Sequence, residues 1–300
     1  MQIINTPSEV FDVTSSDGTR IRAGKYGNGP HKWLLTPGLG TPVYSWKYLF
    51  EYFGDRITFV TWEPRGCYDS AAPDDLGRLR VEDHVQDGVA VLEAAGWQDA
   101  SFICGGWSMG IEIGLEMYRL MPERIQSLML LNGAYEHVLT TAFDIPVVNK
   151  LLEPSVKGVA SAAGVFAPLS RYLLGQPWAI TVLKHLGIVT ANRDFFGEVV
   201  SLFKELDFSV YFRMILALNS HSAKEILPLV QVPTLITAGT MDKMTPLSVS
   251  RYMHQRIADS ELFVVPNGTH YTTIEYPEII NLKLEQFLRT RVFGQEFLAA

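Results

Sequence analysis

A series of short apolar runs, each closed by a loop rich in Gly, Pro, Asn or Thr, sets the strongest limit on how this chain can fold. Trp33–Thr36, Ile57–Trp62, Ala100–Cys104, Ser127–Asn132, Pro233–Ala238 and Glu261–Val265 are short and largely apolar, and Trp33–Thr36 is continuously so. Such runs read as strands, and Trp33–Thr36 as one covered on both sides. Helix-period stretches lie between them. Trp46, Leu49, Phe50 and Phe53 mark one. Val85, Val89 and Leu92 mark a second, running from about residue 81 to 95 and stopped by Gly96. Others follow over 111–120, from Val249 to Ile257, and from about Pro277 to Val292. Strand and helix in alternation mean a parallel sheet with right-handed crossovers. Residues 8–26 add an antiparallel hairpin, turning at Ser15-Ser16-Asp17-Gly18. The expected fold is α/β, a mostly parallel eight-stranded sheet flanked by helices.

The rhythm breaks after the sixth strand. Residues 136–227 contain no convincing strand but many apolar side chains, among them Phe143, Val148, Leu152, Phe166, Trp178, Phe203, Phe208, Tyr211 and Phe212. They read as a helical lid inserted into a core formed by 1–135 and 228–300. Its apolar residues either pack the lid onto the core or face an apolar substrate.

One strand-to-helix turn stands out chemically. Gly106-Trp107-Ser108-Met109-Gly110 fits G-x-S-x-G, a strained elbow that lifts a serine Oγ above the carboxyl edge of a sheet. The glycines belong where a side chain would strike the neighbouring strand or helix. The helix start behind the serine favours developing negative charge.

A serine at neutral pH needs a base, and the base needs an orienting carboxylate. Asp242 follows the Pro233–Ala238 strand and His270 follows Glu261–Val265, in the order Ser, Asp, His. In a parallel sheet both loops open on the same edge as Ser108. A rival acid would sit after the Ser127–Asn132 strand, where the chain offers Asn132, with Glu136 beyond. An oxyanion hole needs two backbone N–H groups. Met109, after the serine, and Leu39, in Pro37-Gly38-Leu39-Gly40, are placed to supply them, with Gly38 letting the backbone approach substrate. Trp107 either packs or touches the substrate. Glu112 either bonds a backbone group near the elbow or reaches the site.

With Arg65-Gly66, Ser70, Thr245-Pro246 and Gly268-Thr269-His270, these motifs resemble the lidded α/β-hydrolase family over nearly the whole chain. The Gly-Trp-Ser core is similar to that of bacterial carboxylesterases. The resemblance implies a serine carboxylesterase or lipase-like branch. Ser108 at the elbow sets the chain apart from the dehalogenase and epoxide-hydrolase branches, which carry Asp there. Three departures touch specificity: Pro37 in place of a common His, Glu63 and Tyr68 in the Asp-x-Arg-Gly-x-Gly-x-Ser loop, and Ile111 in place of a second glycine after the elbow.

The expected activity is hydrolysis of a carboxylic ester of an apolar small molecule through an acyl-enzyme. The alternatives are a carbon–carbon bond hydrolase or a cofactor-free peroxidase on the same triad, or a non-hydrolytic receptor. No metal is expected, since no cluster has ligand spacing. No cofactor is expected either, since Gly38 and Gly40 lack the rest of a dinucleotide fingerprint. A net charge of −7, without a basic block, argues against nucleic acid. No run reaches the length of a membrane span. Cys67 and Cys104 form no disulfide framework, and the N-terminus shows no secretion signal. The expectation is a cytoplasmic monomer or homodimer.

Overall fold

The computed structural model describes residues 7–142, 151–161 and 194–298. Its sheet has eight strands in the order β1-β2-β4-β3-β5-β6-β7-β8. They are β1 (Glu9–Thr14), β2 (Arg20–Tyr26), β3 (His31–Thr36), β4 (Ile57–Trp62), β5 (Phe102–Gly106), β6 (Ile125–Leu131), β7 (Thr234–Gly239) and β8 (Ser260–Val265). The hairpin β1–β2 joins β4 antiparallel, and every pairing from β4 to β8 is parallel. The expected fold class holds.

Side-chain alternation decides which helix covers which face. On β3, Trp33 and Leu35 point to one side and Leu34 to the other; on β6, Met129 and Leu131 oppose Leu128 and Leu130. The Trp33 side packs on α1 (Lys47–Phe53) and on a late helix, Pro277–Phe287, through Phe50, Phe53, Ile280 and Leu284. The Leu34 side packs on α2 (Val81–Ala94) and α3 (Met109–Leu120), and on a helix over Leu247–Arg256. Every residue of β5 and β7 is buried, so these two runs are strands with no solvent face, whereas β8, at the edge of the sheet, is only half-buried up to Val264.

Arg65 locks the edge hairpin to the body. Wholly buried, it donates to Asp87 on α2 at 2.9 and 2.5 Å and to Asp17 in the β1–β2 turn at 2.8 Å. Removing either carboxylate would strand a buried cation, the costly way to break such a pair.

Within 136–227, helices cover Val138–Thr141, 151–161, Asp194–Leu202 and α4 (Phe208–Ser220). Phe143, Val148, Phe166 and Trp178 lie outside the described residues. α4 seats Val210 and Met214 against Cys67 and Leu79 of the core. Glu136 and Ser222 form an isolated antiparallel bridge where the chain leaves and re-enters the core.

Candidate active site

β5 ends at Gly106 and α3 begins at Met109, so the chain reverses over Trp107 and Ser108. Ser108 takes φ 59°, ψ −121°, a region that residues with a Cβ seldom occupy. Its surroundings hold it there. The Ser108 N–H donates to the carbonyls of Leu131 (3.1 Å) and Asn132 (3.2 Å). A Cβ at Gly106 would lie 1.9 Å from the Thr36 carbonyl oxygen, and one at Gly110 2.5 Å from the same atom. The elbow therefore presses against β3 on both sides of the serine, and the Thr36 hydroxyl ties it there through the Gly110 carbonyl at 2.7 Å.

Asp242 and His270 arrive on the loops after β7 and β8. His270 Nδ1 lies 3.0 Å from Asp242 Oδ2. Thr245 completes the pair: its hydroxyl donates to Asp242 Oδ2 at 2.8 Å and sits 3.1 Å from His270 Nδ1. The N–H groups of Met244 and Thr245 cap Asp242 Oδ1 at 2.9 and 2.8 Å. Burial works to raise the Asp242 carboxyl, but the charge and hydrogen bond of His270 and the Thr245 donors hold it below the ordinary carboxylate range.

Ser108, His270 and Thr245 line one cavity of about 190 Å³. Leu39, Val138, Leu139, Leu152, Phe203, Ile215, Leu218 and Met244 make most of its wall. Among the described residues, Ser108 Oγ and the His270 ring do not form a hydrogen bond. Such contacts commonly tighten only with substrate bound.

Trp107 is packed in the core and also borders the cavity. It is 4% exposed and lies edge-on to Trp46. Its indole N–H donates to the His270 carbonyl at 2.8 Å. Leu39 also lines the cavity. Among the described residues, the N–H groups of Leu39 and Met109 donate to no backbone acceptor, as an oxyanion hole requires. A Cβ at Gly38 would lie 2.5 Å from the Thr41 hydroxyl and 3.1 Å from the Trp107 carbonyl oxygen, so a side chain there would have to displace Thr41.

The departures from the family pattern have local partners. Tyr68 takes φ 51° and donates its hydroxyl to the Gly40 carbonyl at 2.8 Å, fastening the loop that carries Leu39. Ile111 is fully buried against the elbow. Among the described residues, Glu112 neither bonds a backbone group through its side chain nor lines the cavity, against expectation. Its carboxylate takes His221 Nδ1 at 2.7 Å, while Glu116, one turn on, takes Nε2 at 2.9 Å. The cluster is not visible in the sequence because His221 is far from Glu112 in the chain. The i, i+4 spacing of two glutamates on a buried helix was its only sign. Thr245 and Asn132 were also missed as contributors to the site. Cys67 and Cys104 are buried, and burial pushes both thiols up, away from reactivity.

The model of the alpha/beta hydrolase family matches residues 33–281. The chain belongs to this family. A mouse (Mus musculus) protein named serine hydrolase BPHL is 26% identical over 276 residues, covering 91% of this chain and 84% of that protein. A putative carbamate hydrolase RutD from Azorhizobium caulinodans is 24% identical over 260 residues, covering 85% of this chain and 89% of that protein. Among solved structures, an esterase from Exiguobacterium antarcticum superposes with a TM-score of 0.74 at 17% identity, covering 94% of this chain and all (100%) of that one; this likeness concerns the alpha/beta hydrolase fold. Among the described residues, no group of three or more His, Cys, Asp or Glu is placed to hold a metal ion, and no helix is long and apolar enough to cross a membrane.

Proposed function

We propose that this alpha/beta hydrolase cleaves a carboxylic ester of an apolar small molecule, with Ser108, His270 and Asp242 as its triad. One observation carries the reading. The Asp242–Thr245–His270 hydrogen-bond set opens into the same apolar cavity as a strained serine at a helix N-terminus. A receptor of apolar ligands would need the cavity but not the set. The names of the mouse and Azorhizobium relatives, both hydrolases, support the same class.

His270 takes the Ser108 proton as Oγ attacks the ester carbonyl. The oxyanion is held by the N–H groups of Leu39 and Met109. His270 then protonates the departing alkoxide as the C–O bond breaks, leaving an acyl-Ser108. Water, deprotonated by His270, attacks the acyl group, and the acid departs as Ser108 regains its proton. Asp242 keeps the Nδ1–H tautomer and stabilises the imidazolium. The segment 136–227 acts as a lid over the core of 1–135 and 228–300. Its Val138, Leu139, Leu152, Phe203, Ile215 and Leu218 supply much of the cavity wall and hence the selection of acyl group.

The test is turnover of p-nitrophenyl acetate, butyrate and octanoate, together with labelling by a fluorophosphonate. Wild type is expected to turn over at least one ester and to take the label on Ser108, and Ser108→Ala is expected to lose both. Folded wild type that does neither rules the reading out.

A further inference from the structure

Asn132 is a buried amide that touches both halves of the site without lining the cavity. It follows β6, is 1% exposed, and takes φ 43°, a left-handed conformation in which Asn and Gly are the residues most at ease. Its backbone carbonyl accepts the Ser108 N–H at 3.2 Å. Its Nδ2 donates to the carbonyl of Thr269, the residue before His270, at 3.2 Å. Its Oδ1 accepts from the hydroxyls of Thr237 on β7 (2.8 Å) and Thr272 beyond His270 (2.5 Å). Its own N–H donates to the Thr237 carbonyl at 3.0 Å.

We propose that Asn132 is a positioning residue that sets His270 against Ser108. It holds the serine through its main chain and the histidine loop through its side chain. The proposal rests on the serine-hydrolase reading above.

The chemistry of the amide is specific. Thr269 presents a carbonyl, which can only accept, and Thr237 and Thr272 turn their hydroxyls to donate, so an amide, which donates on one side and accepts on the other, meets all three. An ionised carboxylate accepts only. An apolar side chain would leave a carbonyl and two hydroxyls to find other partners in a buried place. The histidine loop is held from its other side as well, by Glu275, whose carboxylate accepts the Thr269 N–H at 2.8 Å. The Thr269 peptide is thus gripped at both ends, and His270 inherits its orientation. A base misplaced by a fraction of an ångström loses rate without losing substrate affinity.

The experiment compares full-length wild type with Asn132→Asp and Thr272→Val. The first swaps the single Thr269 donor for an acceptor once ionised; the second removes one donor to the same amide. kcat and KM for p-nitrophenyl butyrate are measured from pH 5 to 9, with melting temperature and the rate of fluorophosphonate labelling. Asn132→Asp is expected to lower kcat about 10- to 100-fold at the alkaline end with KM within about twofold, since the change is in transition-state geometry alone. The deficit should shrink toward pH 5, where a protonated carboxyl can donate to Thr269 again. Thr272→Val should lower kcat about threefold, with the same constancy of KM. If both variants melt within a few degrees of wild type and keep its kcat at every pH, the proposal fails. It fails too if KM rises while kcat holds. If Asn132→Asp does not fold, Thr272→Val decides alone by the same criteria. Wild type that neither turns over ester nor labels at Ser108 overturns the serine-hydrolase reading instead, a distinct result.

Discussion

The indole N–H of Trp107 donates to the backbone carbonyl of His270 at 2.8 Å, so the residue before the candidate nucleophile holds the candidate base by its main chain. The two rings also meet, with centroids 5.4 Å apart. Trp107→Phe keeps most of the packing and removes the N–H. The His270 carbonyl would lose a buried donor worth about 1 kcal/mol. The expected outcome is a kcat about three- to tenfold lower on p-nitrophenyl butyrate, with a small loss in melting temperature. A Trp107→Phe enzyme with unchanged kcat would reduce the indole to a wall of the cavity.

Asp242 is held below the ordinary carboxylate range despite its burial, so it stays ionised through neutral and mildly acidic pH. A carboxyl depressed in the fold adds stability that is present above its unfolded value and lost as pH falls through its folded one. Asp242→Asn removes the charge and keeps the shape. kcat should fall about 10³- to 10⁴-fold. In wild type, the part of acid unfolding due to this group should begin below the ordinary value of 3.8. Steady-state kinetics and pH-jump unfolding of wild type and variant check the two halves. Activity that survives Asp242→Asn but not Glu136→Gln would move the acid to the rival position after β6.

The strands and the order Ser, Asp, His were legible in the sequence because each depends on local pattern. A run buried on both faces must be apolar throughout, and a turn pressed on Thr36 at two points must carry Gly106 and Gly110. The roles of Asn132, Thr245, Tyr68 and His221 were not legible, because each is defined by partners distant in the chain. Glu112 shows the limit well. Its burial could be guessed from the helix period, but its partner sits 109 positions away, on the segment that returns from the lid.

That partner makes the root of the lid sensitive to pH. His221, at the end of α4, lies between Glu112 and Glu116 on α3; Arg119 pairs with Glu116, while Glu136, His137 and Lys224 lie about the lid's two roots. Burial works to lower the His221 ring, but hydrogen bonds and charge from the two glutamates overrule it and push the ring up to about 9. Burial pushes Glu112 up to about 7. An imidazole raised in the fold contributes stability that is whole below its ordinary value of 6.5 and gone once pH passes about 9. Glu112, raised from its ordinary value of 4.5 to about 7, works in the same direction between those two values. Urea midpoints should therefore fall between pH 6.5 and 9, and His221→Gln, which leaves buried Glu112 without its cationic partner while Glu116 keeps Arg119, should cost about 3 kcal/mol at neutral pH. A variant as stable as wild type would mean that the cluster is hydrated and loosely coupled.

The cavity makes the last prediction, because among the described residues its wall carries no compensating charge. Among the described residues lining it there is no Lys or Arg, and besides His270 its polar groups are the hydroxyls of Thr41, Ser108, Tyr211, Thr245 and Tyr271. A substrate carboxylate entering this space would give up its water and find hydroxyls at best, a loss of several kcal/mol. Uncharged acyl chains give up nothing comparable and gain about 0.8 kcal/mol for each methylene buried. Across p-nitrophenyl esters from acetate to octanoate, kcat/KM should rise with chain length until the roughly 190 Å³ is filled, and then fall. Matched against p-nitrophenyl valerate, the half-ester of glutaric acid should be poorer by about 100-fold or more in kcat/KM. The comparison also tests where the selection acts. A penalty that appears in KM places it in ground-state burial, and one that appears in kcat places it at the oxyanion. A preference for the charged half-ester would require a cation at the cavity and would overturn the assignment of an apolar substrate.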